Sequence, residues 1–161
     1  MIDAIDTEIL KILQSNSRTS NAEIARQVDL APSAVFERIR KLEERGVVEG
    51  YGARLNPQVR GVPLLAFVFV RADEKPGAEE TAARVAAIPE VLEVHDVAGE
   101  DCLLVKVRAA DTEALGRILR ERFGRIDSIT STRTTIVLET LKESSALPLE
   151  TPPRLPETVR V

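Results

Sequence analysis

Tryptophan is missing from this chain of 161 residues, and four Phe and one Tyr bring its aromatic content to only 3%. So few rings rule out a platform of stacked aromatics for unwound nucleic acid, and they leave the core to Val, Leu, Ile and Ala. One cysteine, Cys102, precludes an internal disulfide. One Cys and one His, His95, cannot complete a zinc site within a single chain. We therefore expect no metal and no cofactor, and a reducing, cytoplasmic compartment. Long hydrophobic runs are absent too: the longest, Val62 to Val70, is about half of what a membrane-spanning helix needs. The opening Met1-Ile2-Asp3-Ala4-Ile5-Asp6 is acidic and lacks the apolar segment of a signal peptide. No excess of positive charge exists either, since 22 Lys and Arg face 26 Asp and Glu for a net charge of −4. That balance argues against a protein that coats nucleic acid without regard to sequence. A sequence-specific binder must then carry its positive field locally.

What is present falls into zones: a charged, helical stretch over residues 1–50, a connector over 51–62, a mixed strand and helix region over 63–142, and a proline-rich tail over 143–161. In the first zone Ile5, Ile9, Ile12 and Leu13 recur at helical spacing, with Asp6 and Glu8 near the positive end of the helix dipole. Ser20-Asn21-Ala22-Glu23 reads as a capping box opening a short second helix that ends near Val28. Pro32 suits the first position of a third helix, on which Val35, Ile39 and Leu42 form the inward stripe and which Gly46 ends. Two helices joined by a three- or four-residue turn, the second of them basic, make a helix-turn-helix unit whose second helix enters the major groove.

Ser33, Ala34, Arg38, Lys41 and Arg45 are the candidate DNA-binding residues of that helix. Ala34, Arg38, Lys41 and Arg45 share one side of the cylinder, and small residues at the helix start admit close approach to a duplex. The plainer reading of these charges is a solvated face on which Glu37 and Glu44 pair with Lys41 and Arg40 at helical spacing. Beyond Gly46, Val47 to Leu55 alternates loosely and predicts a strand-like connector ending at Asn56-Pro57.

The 63–142 region predicts a strand over Leu64–Arg71, a helix over Gly77–Ile88, strands at Val91–Val97 and Leu103–Val107 with a tight turn at Gly99-Glu100, a helix capped by Asp111 and ended by Gly124, and a long strand over Ile129–Leu141. The order βαββαβ is that of a ferredoxin-like domain. Two helices cover one sheet face. The other, with an apolar first strand, requires a second subunit. The expected fold class is α+β: an N-terminal helix-turn-helix of the winged type followed by this domain.

The chain resembles the Lrp/AsnC (feast/famine) family of transcription regulators. The likeness lies in Asp6-x-x-Ile9-Leu10-x-x-Leu13-Gln14, Glu23-Ile24-Ala25, Pro32-Ser33-Ala34-Val35, and the run from Arg38-Ile39-Arg40-Lys41-Leu42 to Gly50-Tyr51. It continues through Leu55-Asn56-Pro57, Pro89-Glu90-Val91, Val97-Ala98-Gly99-Glu100-Asp101 and Ile136-Val137-Leu138-Glu139. The resemblance implies binding to double-stranded DNA, a homodimer formed through the second domain and assembling to an octamer, and a small-molecule effector such as an amino acid held between dimers. It places the effector at Gly99, Glu100, Asp101, Thr132, Thr134, Thr135 and Ile136. Two departures stand out. Ala31 takes the place of a capping Ser or Thr, and Gly99-Glu100-Asp101-Cys102 replaces the family's Gly-x-aromatic-Asp, which moves a carboxylate by one residue.

Other readings are weaker. In the effector region, Gly99 could serve only the turn, and the threonines could be there as strand formers. Cys102 and His95 fall on one side of the predicted hairpin, but no third group orients them for nucleophilic catalysis. Cys102 reads as a small buried hydrophobe. A ferredoxin-like enzyme subunit lacks its cofactor loop here, and a purely structural oligomerisation module would leave the helix-turn-helix idle. The expected function is regulation by binding, without catalysis.

Overall fold

The structure, a computed structural model, describes residues 2–73 and 80–149. These residues divide into two compact units, 2–53 with 143–149, and 54–73 with 80–142.

The first unit holds α1 (Ala4–Ser15), α2 (Asn21–Val28) and α3 (Pro32–Glu44). Ile9, Ile24, Ala25, Val35 and Leu13 form its core, ringed by Ile5, Ile12, Val28, Leu30 and Ile39. Each helix start has a local cause. Asp3 caps α1 and shares a reciprocal capping box with Asp6, an arrangement the acidic N-terminus hides among other carboxylates. Ser20 caps α2 by accepting the Glu23 N–H at 3.2 Å, the forward half of the expected box. Pro32 opens α3 without any side-chain cap, because the methyl side chain of Ala31 has no oxygen to offer. The turn between α2 and α3 passes through Asp29 in the left-handed region, φ 53°, which a short polar residue tolerates better than most.

The end of α3 is a complete Schellman motif. Gly46 sits at φ 66°, its N–H bonds the Glu43 carbonyl at 2.9 Å, and the Val47 N–H bonds the Leu42 carbonyl at 2.8 Å. The connector that follows forms no strand, contrary to its alternating sequence. A strand needs a ladder partner, and among the described residues none pairs with it. Part of the tail belongs to this unit: the Gln14 amide accepts from the Leu147 N–H at 2.6 Å and donates to its carbonyl at 3.1 Å.

The second unit holds β1 (Leu64–Ala72), α4 (Glu80–Ala86), β2 (Val91–Asp96), β3 (Leu103–Ala109), α5 (Thr112–Glu121), a short 3-10 turn (Phe123–Arg125) and β4 (Ile129–Ile136). The four strands run in the order β2-β3-β1-β4, all antiparallel, which is the ferredoxin-like arrangement. Ala66, Val68 and Val70 of β1 and Val105 and Val107 of β3 face Val85, Ile88, Leu115, Ile118 and Phe123 beneath the helices. Each of these side chains larger than alanine is worth roughly 1.5–3 kcal/mol on burial. Asp111 caps α5 by accepting the Ala114 N–H at 2.7 Å.

Two expectations change here, and a third cannot be compared. The start of the helix expected at Gly77 lies outside the described residues. The hairpin between β2 and β3 spans Val97–Cys102 rather than a two-residue turn, closed by the Val97 N–H on the Cys102 carbonyl. Finally, β4 stops at Ile136 and not at Leu141. Its partner β1 begins at Leu64, so the ladder runs out one residue past the Val137 N–H on the Leu65 carbonyl.

Candidate nucleic-acid interface and effector loop

The inner side of α3 is fixed by Val35 and Leu42, both fully buried, with Ile39 half-buried between them. At 100° per residue, Ser33, Glu37, Arg40 and Glu44 then point directly away from the core, flanked by Phe36 on one side and Lys41 on the other. Ser33, Phe36, Glu37, Lys41, Glu44 and Arg45 are all exposed. Ala34 and Arg38 are half-buried, nearer to the module's interior than a face composed by charge alone suggests.

Arg38 shows why. Its Nη1 lies 2.7 Å from Asp3 Oδ2 and 2.7 Å from Asp6 Oδ1. Asp6 is buried, so the pair links α3 to the first turn of α1 in a partly dry setting. The Asp6 N–H, and after it the Arg38 guanidinium, hold the Asp3 carboxyl below the usual carboxylate range. Asp3 and Asp6 in turn raise the guanidinium's pKa above its ordinary value. Arg38 is thus engaged with the protein's own acids rather than presented to solvent, a placement that charge periodicity alone does not reveal.

Arg40 is also held. Its guanidinium bonds Glu37 at 2.8 Å and reaches Glu44 one turn on. Arg40 depresses the Glu37 pKa, first through the hydrogen bond and then through charge. The Lys41 ammonium forms no hydrogen bond or ion pair with the described residues, though its charge adds to the effect on Glu37. Near the end of α3 the Tyr51 hydroxyl donates to Glu43 at 2.8 Å. Partial burial, and then the Glu43 carboxylate, push the phenol pKa up to about 12. Phe36 is the member of this surface that sequence reasoning passed over, while Glu37 and Arg40 entered it only as charges of a solvated face and not as the outward centre of the helix. The helical phase of Val35 and Leu42 was the signal that could have placed all three.

In the second unit the loop Gly99–Asp101 sits against two arginines. The Arg71 Nε–H donates to the Glu100 carbonyl at 3.0 Å, and Arg133 bonds Asp101 at 2.8 Å. The Arg133 guanidinium also lies over the Phe69 ring, 4.0 Å from its centroid, a cation–π geometry. Gly99 takes φ 150°, a conformation that favours glycine. The Cys102 thiol points to the Ala72 carbonyl at 3.6 Å, and the His95 ring to Glu93 at 3.4 Å.

Strand register divides the four expected β4 residues. Thr132, Thr134 and Ile136 stand opposite Val70, Val68 and Ala66, on the helix-covered side. Thr135 stands opposite Phe67, on the open side with Arg133. The structure therefore brings Gly99, Glu100 and Asp101 together with Arg71 and Arg133, and places only Thr135 of the four on that face. The open face also carries Leu65, Phe67, Phe69, Leu104 and Lys106, with Lys106 bonded to Glu93 at 3.0 Å. Among the described residues no group of three metal-ligating side chains occurs, and no helix is long and apolar enough to cross a membrane.

Comparison with known proteins fits both units. Residues 2–49 match the winged helix-turn-helix DNA-binding family, and residues 65–147 match the Lrp/AsnC ligand binding domain. The HTH-type transcriptional regulator FL11 of Pyrococcus horikoshii is 38% identical over 150 residues, covering 92% of this chain and 97% of that one. The leucine-responsive regulatory protein of Haemophilus influenzae is 37% identical over 151 residues, covering 92% and 91%. A transcriptional regulator from Neisseria meningitidis, solved as a complex with L-methionine, superposes with a TM-score of 0.88 at 31% identity, covering 93% and 98%. On the pairing of this helix-turn-helix with this four-stranded domain, and on identity across nearly its whole length, the chain belongs to the Lrp/AsnC family of transcription regulators.

Proposed function

We propose that the chain regulates transcription as a homodimer that assembles further to an octamer in the cytoplasm, reading double-stranded DNA with α3 and answering to a small amino acid. It acts by binding, without a catalytic step. The observation that carries the DNA reading is the exposed outer side of α3, set in a fixed orientation by Val35 and Leu42 below and by Arg38 on Asp3 and Asp6 beside it. Ser33 and Ala34 allow the helix start to approach the groove floor. Lys41 and Arg45 supply phosphate or guanine contacts. Arg38 contributes mainly by holding the helix in place.

For the effector, the candidate residues are Gly99, Glu100, Asp101 and Thr135, with Arg71 and Arg133 beside them. The two guanidinium groups suit an amino acid's carboxylate, and the loop acids suit its ammonium. L-methionine, bound in the Neisseria regulator, is the first compound to try. Thr132, Thr134 and Ile136 line the other side of the same edge strand and have the weaker claim. For the dimer, the open sheet face with Phe67, Phe69 and Leu104 is the surface we assign.

The test is a titration of duplex DNA from upstream of the protein's own gene, in graded salt, with and without each of the twenty amino acids. Specific binding that weakens steeply with salt, and that one amino acid alters, is the expected result. No binding even at low salt overturns the DNA reading. Binding indifferent to every amino acid at millimolar levels overturns the effector reading alone.

A further inference from the structure

The four phenylalanines of the chain have distinct settings. Phe123 is buried in the second unit's core, and Phe67 and Phe69 are half-covered on β1. Phe36 alone stands in the open, 53% exposed, on the second turn of α3 and outside the apolar cluster of its own unit. A single exposed hydrophobic residue is ordinary on a protein surface, but this one is placed on the helix assigned above to reading DNA.

Its neighbours narrow the role further. Ser33, one turn before it, is small and exposed. Glu37 and Arg40 are engaged with each other at 2.8 Å, and Arg40 also with Glu44. The charges around the ring are therefore already paired, and the surface that lacks a partner there is apolar. The floor of the major groove presents donors and acceptors at every base pair and one apolar group, the C5-methyl of thymine. An aromatic ring reaching that floor has one chemically matching target.

Resting on the reading of α3 as the recognition helix, we propose that Phe36 is a specificity-determining residue that packs against a thymine methyl in the operator. It supplies base discrimination without a hydrogen bond. The charged pair Glu37–Arg40 flanks the contact and keeps water from its rim.

The experiment uses the full chain and a duplex selected by it from random DNA, in which each thymine is replaced in turn by deoxyuridine. That change removes the methyl and nothing else. At one or more positions the wild-type chain should lose about fourfold in affinity, the worth of one buried methyl. Phe36→Ala should bind the thymine duplex more weakly and show no further loss with deoxyuridine at that position. Its melting temperature should match the wild type, because the ring is mostly in solvent. If the alanine variant does melt early, Phe36→Gln, polar and closer in size, replaces it in the same comparison. Deoxyuridine that costs nothing anywhere, or costs the variant as much as the wild type, overturns the proposal. A wild-type chain that selects no DNA at all is a separate result, and it removes the recognition-helix reading itself.

Discussion

Arg38 and Asp6 meet at 2.7 Å across the helix-turn-helix unit, and Asp6 also belongs to the box that caps α1. One carboxylate thus secures the start of the first helix and the flank of the third. Removing the arginine leaves a buried carboxylate without its cation, a loss of about 1–2 kcal/mol once the part of the guanidinium still in water is discounted. Arg38→Ala should therefore melt earlier and bind DNA more weakly at the same time, while Arg38→Lys recovers only part of either. Thermal denaturation and a gel-shift titration on the same samples check this. A variant that melts like the wild type but loses DNA binding would assign Arg38 to the DNA instead.

Acid should loosen this corner in a defined window. The folded-state pKa of Asp3 lies below its ordinary 3.8, because the Asp6 N–H and Arg38 favour the charged form. A depressed carboxylate pKa stabilises the fold fully above the unfolded value, and the benefit fades as pH falls through the folded one. Helical signal followed by circular dichroism from about pH 5 to about pH 2 should show a loss below 3.8 that Asp3→Asn largely removes. An unchanged acid profile in Asp3→Asn would detach the transition from this residue.

Tyr51 is the chain's one tyrosine, so its ionisation can be read without interference. Partial burial and the Glu43 carboxylate raise its pKa to about 12 from an ordinary 10.0. A raised pKa here means the contact stabilises the fold below the unfolded value and is lost as pH climbs through the folded one. Ultraviolet titration of the native chain should show tyrosinate appearing near pH 12, with Glu43→Gln moving it back toward 10.0. Ionisation at the ordinary value in the native protein would contradict the contact.

Both ends of α3 can be tuned in opposite senses. At its start Ala31 offers no cap, so Ala31→Ser should stabilise the first unit by about 1 kcal/mol. At its end Gly46 holds φ 66° with open space where a Cβ would go, so the cost of Gly46→Ala is backbone strain alone, roughly 1–2 kcal/mol. Denaturant titrations of the two variants should shift their midpoints in opposite directions. Equal or reversed shifts would mean that something other than the caps sets the length of this helix.

Much of this fold was legible because its causes are local. Ser20, Pro32 and Asp111 mark helix starts within three residues of themselves, and the alternation in Leu103–Ala109 shows which of its residues face the core. What escaped depends on distant partners. Arg38 finds Asp3 and Asp6 more than thirty residues away, and helical phase gives a face without saying which neighbour lies beside it. The end of β4 is set by where β1 begins, and no pattern within β4 carries that information. Arg133 stands between threonines that drew notice for their family positions, yet it is the residue that reaches Asp101. Two strand neighbours of like chemistry were counted together although a strand sends them to opposite faces.

The open sheet face supplies the last test, because the proposed dimer depends on it. Phe69 lies under the Arg133 guanidinium, next to Phe67 and Leu104 on neighbouring positions of that face. A carboxylate placed in the middle of such a surface must be desolvated whenever two copies close on each other, and each copy carries one. Phe69→Glu should therefore shift the chain toward monomer in sedimentation, while the helix-turn-helix unit keeps its own fold. On the proposed function DNA binding should weaken with it, since a recognition helix reads one half-site and two must be joined to read a pair. A variant that sediments like the wild type would move the subunit interface to another surface of the domain.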